Sequence, residues 1–480
     1  MKTDKVFPEC GLKGYELTKM LPGHKSCDAR WNSGKTFGFV YHPGEPHARI
    51  SEAYQDAFRY ESTLNPSAFP SLRKFEKDVV GMATDLMHGD HKAAGNVTIG
   101  GSESIFLALK VARQAAVDTG KKDGPFEVIL PGTAHPAFLK ACHYLSIKAV
   151  IVPVDEQMMA DPGAMQDAIN ENTILLACSA PCFPCGVVDP VRRLGKVAQK
   201  YHLLMHVDAC MGGFMLPFME ELGYKVPEFD FRVPGVTSIS LDAHKYGYAP
   251  KGVSIILYRN RELRRKQFFI HTEWSGGIFA STTFSGTKSG GPLAGCWAIM
   301  NHLGREGYRN MAGKVMETTR IIREGIEKME GLHIVGDPSM SVLAFSSEHG
   351  NIYNIGDALA SRGWYIDRLQ FPEALHLTIT RLNLGMADEF LGDLQQIMGN
   401  EEELNNARKG MHKSVKAVEM ITKLLPAGIT DKVARLAGSQ MESPGEEEKG
   451  SQAALYGISA SFDNRKNVRR LVENLLDGMY

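Results

Sequence analysis

The chain has 480 residues, of which 43% are hydrophobic and 23% are charged, and its formal net charge is -1. This composition is typical of a globular protein of about two or three domains, and its charge gives no indication of a nucleic-acid or membrane-surface partner. No apolar run approaches the roughly 20 residues that span a bilayer, and the N-terminus has no signal-peptide core, so we expect a cytoplasmic protein without a transmembrane anchor.

The pattern along the chain predicts three parts. Residues 1–60 contain many Pro, Gly and His and predict an irregular arm, helical at most over 50–60. Residues 61–305 alternate β-rich runs with helical spacing, which indicates an α/β domain with a mostly parallel sheet and helices on both faces. A long amphipathic helix from about Leu303 leads into residues 306–480, which predict a smaller α+β domain.

Polar residues follow the predicted strands of the large domain. These strands cover 97–99, 126–130, 148–154, 173–178, 203–207 and 236–241. Ligands of parallel sheets bind at the carboxyl ends of the strands. The informative polar residues fall near those ends and are expected to share one edge: Ser102, His135, Ser179, Asp208, His244 and Lys245.

A glycine pair precedes the first helix of this domain. Gly100 and Gly101 end a β-rich run, and a helix is predicted to begin at Ser102. The free N–H groups at such a helix start can hold a phosphate, and glycine lets the ligand approach the backbone. A plain helix cap is the alternative, and it is the commoner meaning of such a segment considered alone.

Lys245 lies between two apolar segments. It follows the predicted strand 236–241, and another apolar run covers 253–258. Burial of this kind lowers the pKa of a lysine, and a neutral, immobilised amine is what a Schiff base requires. The alternative is a solvated lysine in a surface loop, where most lysines lie.

Asp208 and His135 also admit two interpretations. A carboxylate at the end of an apolar strand is either a helix cap or ion-pair partner, or it faces a protonated ring nitrogen. His135 lies before a predicted helix, where it is either a turn residue or a site residue. Together with Lys245 and the phosphate-type helix start, they match the needs of pyridoxal 5'-phosphate.

The cysteines do not form a disulfide framework, since the chain has only 8 of them in 480 residues. Cys182 and Cys185 make a single C-x-x-C, without a second such pair. We expect both to be small core or pocket residues, with a zinc or redox site as the less favoured alternative.

Three motifs carry a family resemblance. The segments G-G-S-E-S-I, H-V-D-A-C-M-G-G-F and A-H-K-Y-G-Y-A-P-K-G resemble the fold-type I pyridoxal-phosphate enzymes of the group II decarboxylase family, and most of all its sphingosine-1-phosphate lyases. The likeness extends over about 33–480 and is most specific over 95–300. It implies a large domain with a mostly parallel sheet of the seven-stranded type and a smaller C-terminal α+β domain.

The resemblance also implies roles for individual residues. Lys245 would carry the cofactor as a Schiff base, Asp208 would face the ring nitrogen, and His135 would stack on the ring. Other cofactor contacts would come from Gly101, Ser102 and His244, and from Gly286 and Thr287 of a second subunit. A homodimer with shared active sites is therefore expected.

The implied reaction is retro-aldol cleavage of the C2–C3 bond of a phosphorylated long-chain base, which releases a fatty aldehyde and phosphoethanolamine. Residues such as Tyr41 and Lys251 lie near the substrate in family members, although Lys251 considered alone is also compatible with a solvated turn lysine. Asn65 stands where the lyases have a histidine, which leaves the substrate in doubt. Tyr41, Lys245 and a cofactor phosphate oxygen all remain candidates for moving the protons.

Two other functions remain open at this stage. An amino-acid decarboxylase on the same scaffold would break the bond to a carboxylate instead, and Asn65 keeps this alternative open. A catalytically silent dimeric binding protein is the other, and the presence of both Lys245 and Asp208 argues against it.

Overall fold

A computed structural model describes residues 7–26, 28–64, 67–121, 124–348 and 351–400, with five single residues between 469 and 477. The acidic segment 442–450, which the sequence predicts to be a mobile loop, lies outside these residues. The chain divides into two compact units. The first comprises Met1–Thr36, Asn354–Tyr365 and Asn400–Tyr480, and the second comprises Phe37–Tyr353 and Ile366–Gly399. The domain boundaries expected near residues 60 and 305 stay a prediction.

The largest sheet of the second unit has seven strands. They are β1 (Ala94–Thr98), β2 (Phe126–Pro131), β3 (Ile147–Val152), β4 (Thr173–Ser179), β5 (Leu204–Asp208), β6 (Ser238–Leu241) and β7 (Ser254–Tyr258). Their order is β1-β7-β6-β5-β4-β2-β3, and only β7 runs against its neighbours. The predicted α/β fold with a mostly parallel sheet is confirmed.

The helices are numbered in chain order. They are α1 (Gly14–His24), α2 (Glu45–Ala57), α3 (Pro70–Leu86), α4 (Gly101–Asp118), α5 (Ala137–Leu145), α6 (Pro162–Asp167), α7 (Val191–Lys200), α8 (Leu216–Glu221), α9 (Arg261–Arg265), α10 (Gly290–Glu327), α11 (Ile352–Ser361) and α12 (Ala387–Met398). Helices α4 and α5 pack on β2 and β4 through a core that includes Leu109, Phe138, Val128 and Leu175. This apolar packing holds the start of α4 beside the sheet.

One sequence prediction about secondary structure is wrong, and one helix was missed. Residues 1–60 are not mainly irregular, because they contain α1 and α2. The long helix expected from about Leu303 is the second part of α10, which follows a break in helical geometry at Gly304 (φ 55°, ψ -176°), whereas the first part, from Gly290, was not predicted. The first part of α10 lacks the apolar pattern that indicates a helix, because it is rich in glycine. A Cβ on Gly291 would lie 2.7 Å from a backbone oxygen of α2, so the two helices approach too closely for larger side chains.

Two smaller sheets complete the second unit. Strands β8 (Phe269–Trp274) and β9 (Gly277–Ser281) form a hairpin. A four-stranded antiparallel sheet has the order β10-β11-β13-β12 and contains β10 (Leu332–Ile334), β11 (Val342–Ser347), β12 (Asp367–Gln370) and β13 (Glu373–Thr378). Within the described ranges, no helix combines the length and the apolar character needed to cross a bilayer.

Candidate active site

The carboxyl ends of β4, β5 and β6 bring three polar residues into one row. Ser179 pairs with Asp208 across β4 and β5, and Asp208 pairs with Ser240 across β5 and β6. The chain then turns, and Lys245 follows four residues after the end of β6. The sheet therefore assembles the edge that the sequence predicted.

Asp208 is held firmly through one of its two carboxylate oxygens. Its Oδ1 accepts hydrogen bonds from Cys210 N at 3.0 Å and from Ser240 Oγ at 3.2 Å. Within the described chain, no residue donates a hydrogen bond to Oδ2 or forms an ion pair with this carboxylate. The side chain is 7% exposed, so one oxygen fixes its direction while the other is available to a ligand.

A buried histidine, His206, contacts the Ser240 hydroxyl that donates to Asp208. The two ring nitrogens of His206 lie 2.9 Å from Ser238 Oγ and 3.2 Å from Ser240 Oγ. Burial lowers the pKa of His206 to about 4, against a smaller opposing effect of Asp208, so the ring is neutral at physiological pH. The neutral ring and the Ser240 hydroxyl thus orient Asp208 without neutralising its charge.

Lys245 is paired with a carboxylate that the sequence interpretation missed. Its Nζ lies 2.9 Å from Asp242 Oδ2, and the two side chains are 24% and 3% exposed. Burial lowers the pKa of Lys245, but the charge of Asp242 and its hydrogen bond to Nζ, with a smaller contribution from Asp208, raise it by more, so the net pKa lies above its ordinary value. The expectation of a lowered lysine pKa is therefore wrong, because burial is accompanied by an ion pair.

Two histidines border the lysine. His135 Nδ1 accepts a hydrogen bond from Ala137 N at 3.1 Å, and His244 Nδ1 accepts one from Val253 N at 3.2 Å. Burial is the main cause that lowers the pKa of each ring. Both rings are therefore neutral near pH 7, and His135 lies close enough to Asp208 and Lys245 for their charges to affect it.

The start of α4 has the free backbone N–H groups that the sequence predicted, and phosphate binding there stays a prediction. The N–H groups of Gly101 and Ser102 have no acceptor among the residues that the structure describes, and Ser102 is exposed. A Cβ on Gly101 would lie 2.7 Å from Cys210 Sγ, so only glycine fits there. These free N–H groups at a helix N-terminus suit an anion.

Tyr41 and Lys251 lie together in the second unit. Lys251 Nζ lies 5.1 Å from the centre of the Tyr41 ring and donates a hydrogen bond to Phe39 O at 2.7 Å. Burial lowers the pKa of Lys251, and the Lys245 charge lowers it further. Burial and the Asp242 charge raise the pKa of Tyr41, so its phenol keeps its proton.

Gly286 and Thr287 lie in a segment that is tied to the start of α4 in the same chain. The carboxylate of Glu103 accepts hydrogen bonds from Ile99 N at 2.7 Å and from Ser285 N at 2.9 Å. Thr287 lines a cavity of about 230 Å³ together with Ile99 and Val253. Their predicted contact with the cofactor of a second subunit stays a prediction.

The Cys182–Cys185 motif is buried in a small apolar cluster. Both residues are less than 2% exposed and pack with Val187 and Ala344. All the cysteines that the structure describes are free thiols, and no three acidic, His or Cys side chains in that part of the chain are placed to hold a metal. The two cysteines are therefore small core residues, as the sequence indicated.

The sequence interpretation overlooked two residues of the site, Ser240 and Asp242. Both belong to S-I-S-L-D, where a polar residue at every second position of a buried strand already indicated a polar face. Their partners come from other elements, so the pattern alone does not identify them. Asn65 lies outside the described residues.

The fold and the site together define a class of protein. A mostly parallel sheet places a half-buried lysine, a carboxylate with a free oxygen, a neutral histidine and a helix start with free N–H groups at one edge. Two buried oxygens, Thr133 Oγ1 and Asp242 Oδ1, also lack hydrogen-bond partners among the described residues. These donors and acceptors fit pyridoxal 5'-phosphate, and the arrangement is that of a fold-type I pyridoxal-phosphate enzyme.

Comparison with known proteins identifies the family. Residues 61–348 match the model described as "Pyridoxal-dependent decarboxylase conserved domain". The chain belongs to this family.

Its relatives include sphingosine-1-phosphate lyases from several kingdoms. It is 42% identical to sphingosine-1-phosphate lyase 1 of Rattus norvegicus over 82% of this chain and 71% of that protein. It is 38% identical to the Arabidopsis thaliana lyase over 99% of this chain and 81% of that protein. The solved sphingosine-1-phosphate lyase of Burkholderia pseudomallei has 34% identity and a TM-score of 0.80, and the match covers 88% of this chain and 98% of that one.

Proposed function

We propose that this chain is a pyridoxal-phosphate-dependent lyase that cleaves the C2–C3 bond of a phosphorylated long-chain base of the sphingosine-1-phosphate type. The products are a fatty aldehyde and phosphoethanolamine, and the cleavage is a retro-aldol reaction. Pyridoxal 5'-phosphate is the cofactor. The observation that carries the proposal is the edge shared by Lys245 and Asp208, combined with 38–42% identity to sphingosine-1-phosphate lyases.

The residues of the site have distinct tasks in this reaction. When bound, the cofactor supplies an electron sink for the pair released as the C2–C3 bond breaks. Lys245 attaches the cofactor, and Asp208 holds a proton on the ring nitrogen through its free oxygen. Gly101 and Ser102 would hold the cofactor phosphate through their N–H groups, and His135 would hold the ring.

Further residues are assigned to the substrate side and to proton transfer. The Tyr41 hydroxyl keeps its proton and is a candidate acid for the reacting oxygen. Lys251 presents a cation beside Tyr41 and is proposed to attract the substrate phosphate. Asn65 supplies an uncharged side chain where the lyases have a histidine. The cytoplasmic location expected from the sequence stays a prediction.

A product assay separates this reaction from decarboxylation. Purified chain loaded with pyridoxal phosphate is incubated with dihydrosphingosine phosphate and, separately, with a panel of amino acids. We expect release of a long-chain aldehyde without carbon dioxide. Carbon dioxide from an amino acid with no aldehyde from the phosphorylated base would establish the decarboxylase alternative instead.

Replacing Lys251 tests recognition of the substrate phosphate. Lys251→Ala is expected to raise the KM for a phosphorylated substrate by about 10-fold, since a charge-assisted contact contributes about 1.5–3 kcal/mol. The KM for an unphosphorylated analogue should change much less. Lys77→Ala serves as the control, because Lys77 is an exposed lysine on α3. Equal changes in KM for both substrates would remove Lys251 from the phosphate site.

We also propose that the chain forms a homodimer in which the second copy covers the β8–β9 hairpin. Every residue of β8 is exposed, and large apolar side chains stand out from the hairpin, among them Ile270 at 61%, Trp274 at 53% and Ile278 at 76% exposed. A two-stranded hairpin is marginally stable alone, and such a patch usually marks an interface. The segment with Gly286 and Thr287 follows the hairpin, so a second copy bound there would be close to it.

Ile278→Asp is expected to shift the protein from dimer to monomer in analytical ultracentrifugation, because it places a charge in the proposed interface. If Gly286 and Thr287 complete the partner's site, cofactor affinity should fall as well. Leu139→Asp is the matched control, since Leu139 is 48% exposed on α5. A dimer that persists in Ile278→Asp would locate the interface elsewhere.

A further inference from the structure

A carboxylate without an assigned task in the proposed lyase reaction lies against the reacting amine. Asp242 Oδ2 is 2.9 Å from Lys245 Nζ, and the Asp242 side chain is 3% exposed. Its Oδ1 is buried and has no hydrogen-bond partner in the described part of the chain. A buried carboxylate oxygen without a hydrogen bond is costly, so Oδ1 is expected to gain a partner when the site is complete.

The ion pair keeps Lys245 in a form that cannot react. The Asp242 charge outweighs burial and holds the pKa of Lys245 above its ordinary value, so Nζ is an ammonium group at neutral pH. An ammonium nitrogen has no lone pair and cannot attack an aldehyde. Lys245 must therefore lose a proton before the cofactor attaches, and Asp242 is the one carboxylate within ion-pair distance of Nζ among the residues described.

Other titratable groups also lie around Asp242. His244 Nε2 lies 3.7 Å from Asp242 Oδ2, and burial lowers the pKa of that ring. Burial raises the pKa of the Cys210 thiol and of the Tyr41 phenol, so both are already protonated. The charges of His135 and Lys251 also interact with Asp242. The Ser254 hydroxyl donates to Leu241 O at 3.1 Å and is not an acid or base at neutral pH.

The position of Asp242 favours its protonation once a phosphate is present. A Cβ on Gly101 would lie 3.0 Å from both carboxylate oxygens, so Asp242 borders the first turn of α4. A phosphate held by the N–H groups of Gly101 and Ser102 is therefore close to this carboxylate. Like charges at such a distance raise the pKa of the weaker acid. Burial raises the pKa of Asp242, but the Lys245 charge is the largest of several effects that bring the net pKa below its ordinary value, so neutralisation of Lys245 acts in the same direction as the phosphate.

We propose that Asp242 takes the proton that Lys245 loses when the cofactor attaches, and holds it as a carboxylic acid beside the cofactor phosphate. This inference rests on the proposed function, since it assumes that Lys245 binds pyridoxal phosphate. One proton first moves from Nζ to the Asp242 carboxylate. The neutral amine then attacks the aldehyde carbon, a carbon–nitrogen double bond forms, and the aldehyde oxygen leaves with the two remaining amine protons as water.

Infrared difference spectroscopy tests the transfer directly. The full chain, prepared with isotope-labelled aspartate so that cofactor bands are distinguished, is measured before and after addition of pyridoxal phosphate. Visible absorbance in the same sample reports attachment. We expect attachment to convert one aspartate carboxylate band per chain into a carboxylic-acid band, and this change to be absent in Asp242→Asn.

Each outcome has a separate meaning. A chain that gains no visible absorbance overturns the assignment of Lys245 and this inference with it. A chain that gains the absorbance without an aspartic-acid band overturns the role of Asp242 alone, as does a band that persists in Asp242→Asn. The wild-type measurement suffices if Asp242→Asn does not fold.

Discussion

Replacing Lys245 with alanine is expected to abolish the visible absorbance of the attached cofactor and to lower kcat/KM by about 10⁴-fold or more. The reason is that, in the described part of the chain, no other lysine forms an ion pair with Asp242. Lys245 Nζ is held beside Asp242 at the carboxyl edge of the sheet, and the neighbouring lysine, Lys251, donates its hydrogen bond to Phe39 O instead. Absorbance spectra and steady-state kinetics of the purified variant measure both effects.

Lys251→Ala is the matched control for this experiment. It removes a second lysine from the same region but leaves the amine at Lys245 in place, so the absorbance should remain. Non-covalent cofactor binding to Lys245→Ala should also remain, because Asp208 and the start of α4 are unchanged. An unaltered absorbance in Lys245→Ala would show that another amine carries the cofactor.

Replacing Asp208 with asparagine is expected to lower kcat by about 10²–10³-fold, which is the usual effect of removing one preorganised electrostatic contact from an active site. Asparagine preserves the shape of the side chain and can still accept the hydrogen bonds of Cys210 N and Ser240 Oγ. It removes the negative charge that keeps a ring nitrogen protonated. The covalent attachment at Lys245 should survive, with a shifted absorbance maximum.

Ser240→Ala provides the graded comparison. This change removes one of the two hydrogen bonds to Asp208 Oδ1 and leaves the carboxylate charge, so kcat is expected to fall by about 10-fold or less. If Asp208→Asn and Ser240→Ala reduced kcat equally, the orientation of Asp208 rather than its charge would be the decisive property. Full activity in Asp208→Asn would contradict its assignment to the ring nitrogen.

Much of the fold was predictable because its signals are local. Apolar runs such as those of β2 and β4 are fully buried in the structure, and the predicted strands agree with the observed ones within a few residues. Helices were missed where their residues are set by close packing between helices and do not follow a periodic apolar pattern. The first part of α10 is rich in glycine, since it packs closely on α2, and α2 itself buries only Ala48 and Ser51.

The candidate residues of the site were also predictable to a large extent. Asp208 and Lys245 follow apolar strands, and in a parallel sheet neighbouring strands end at the same edge, so order along the chain already implied proximity. The glycine pair before α4 indicated a phosphate cradle for the same local reason. The amino-acid sequence by itself thus determined the fold class, the family and most candidate cofactor contacts.

Only the tertiary structure decided the charge states and the supporting contacts. The sequence indicated that Lys245 is buried, and burial alone lowers the pKa of a lysine, but the ion pair with Asp242 reverses the direction. The proximity of Tyr41 to Lys251 likewise depends on residues 210 positions apart. Such effects arise from distances of a few ångströms between side chains on different segments, and neither spacing nor composition records these distances.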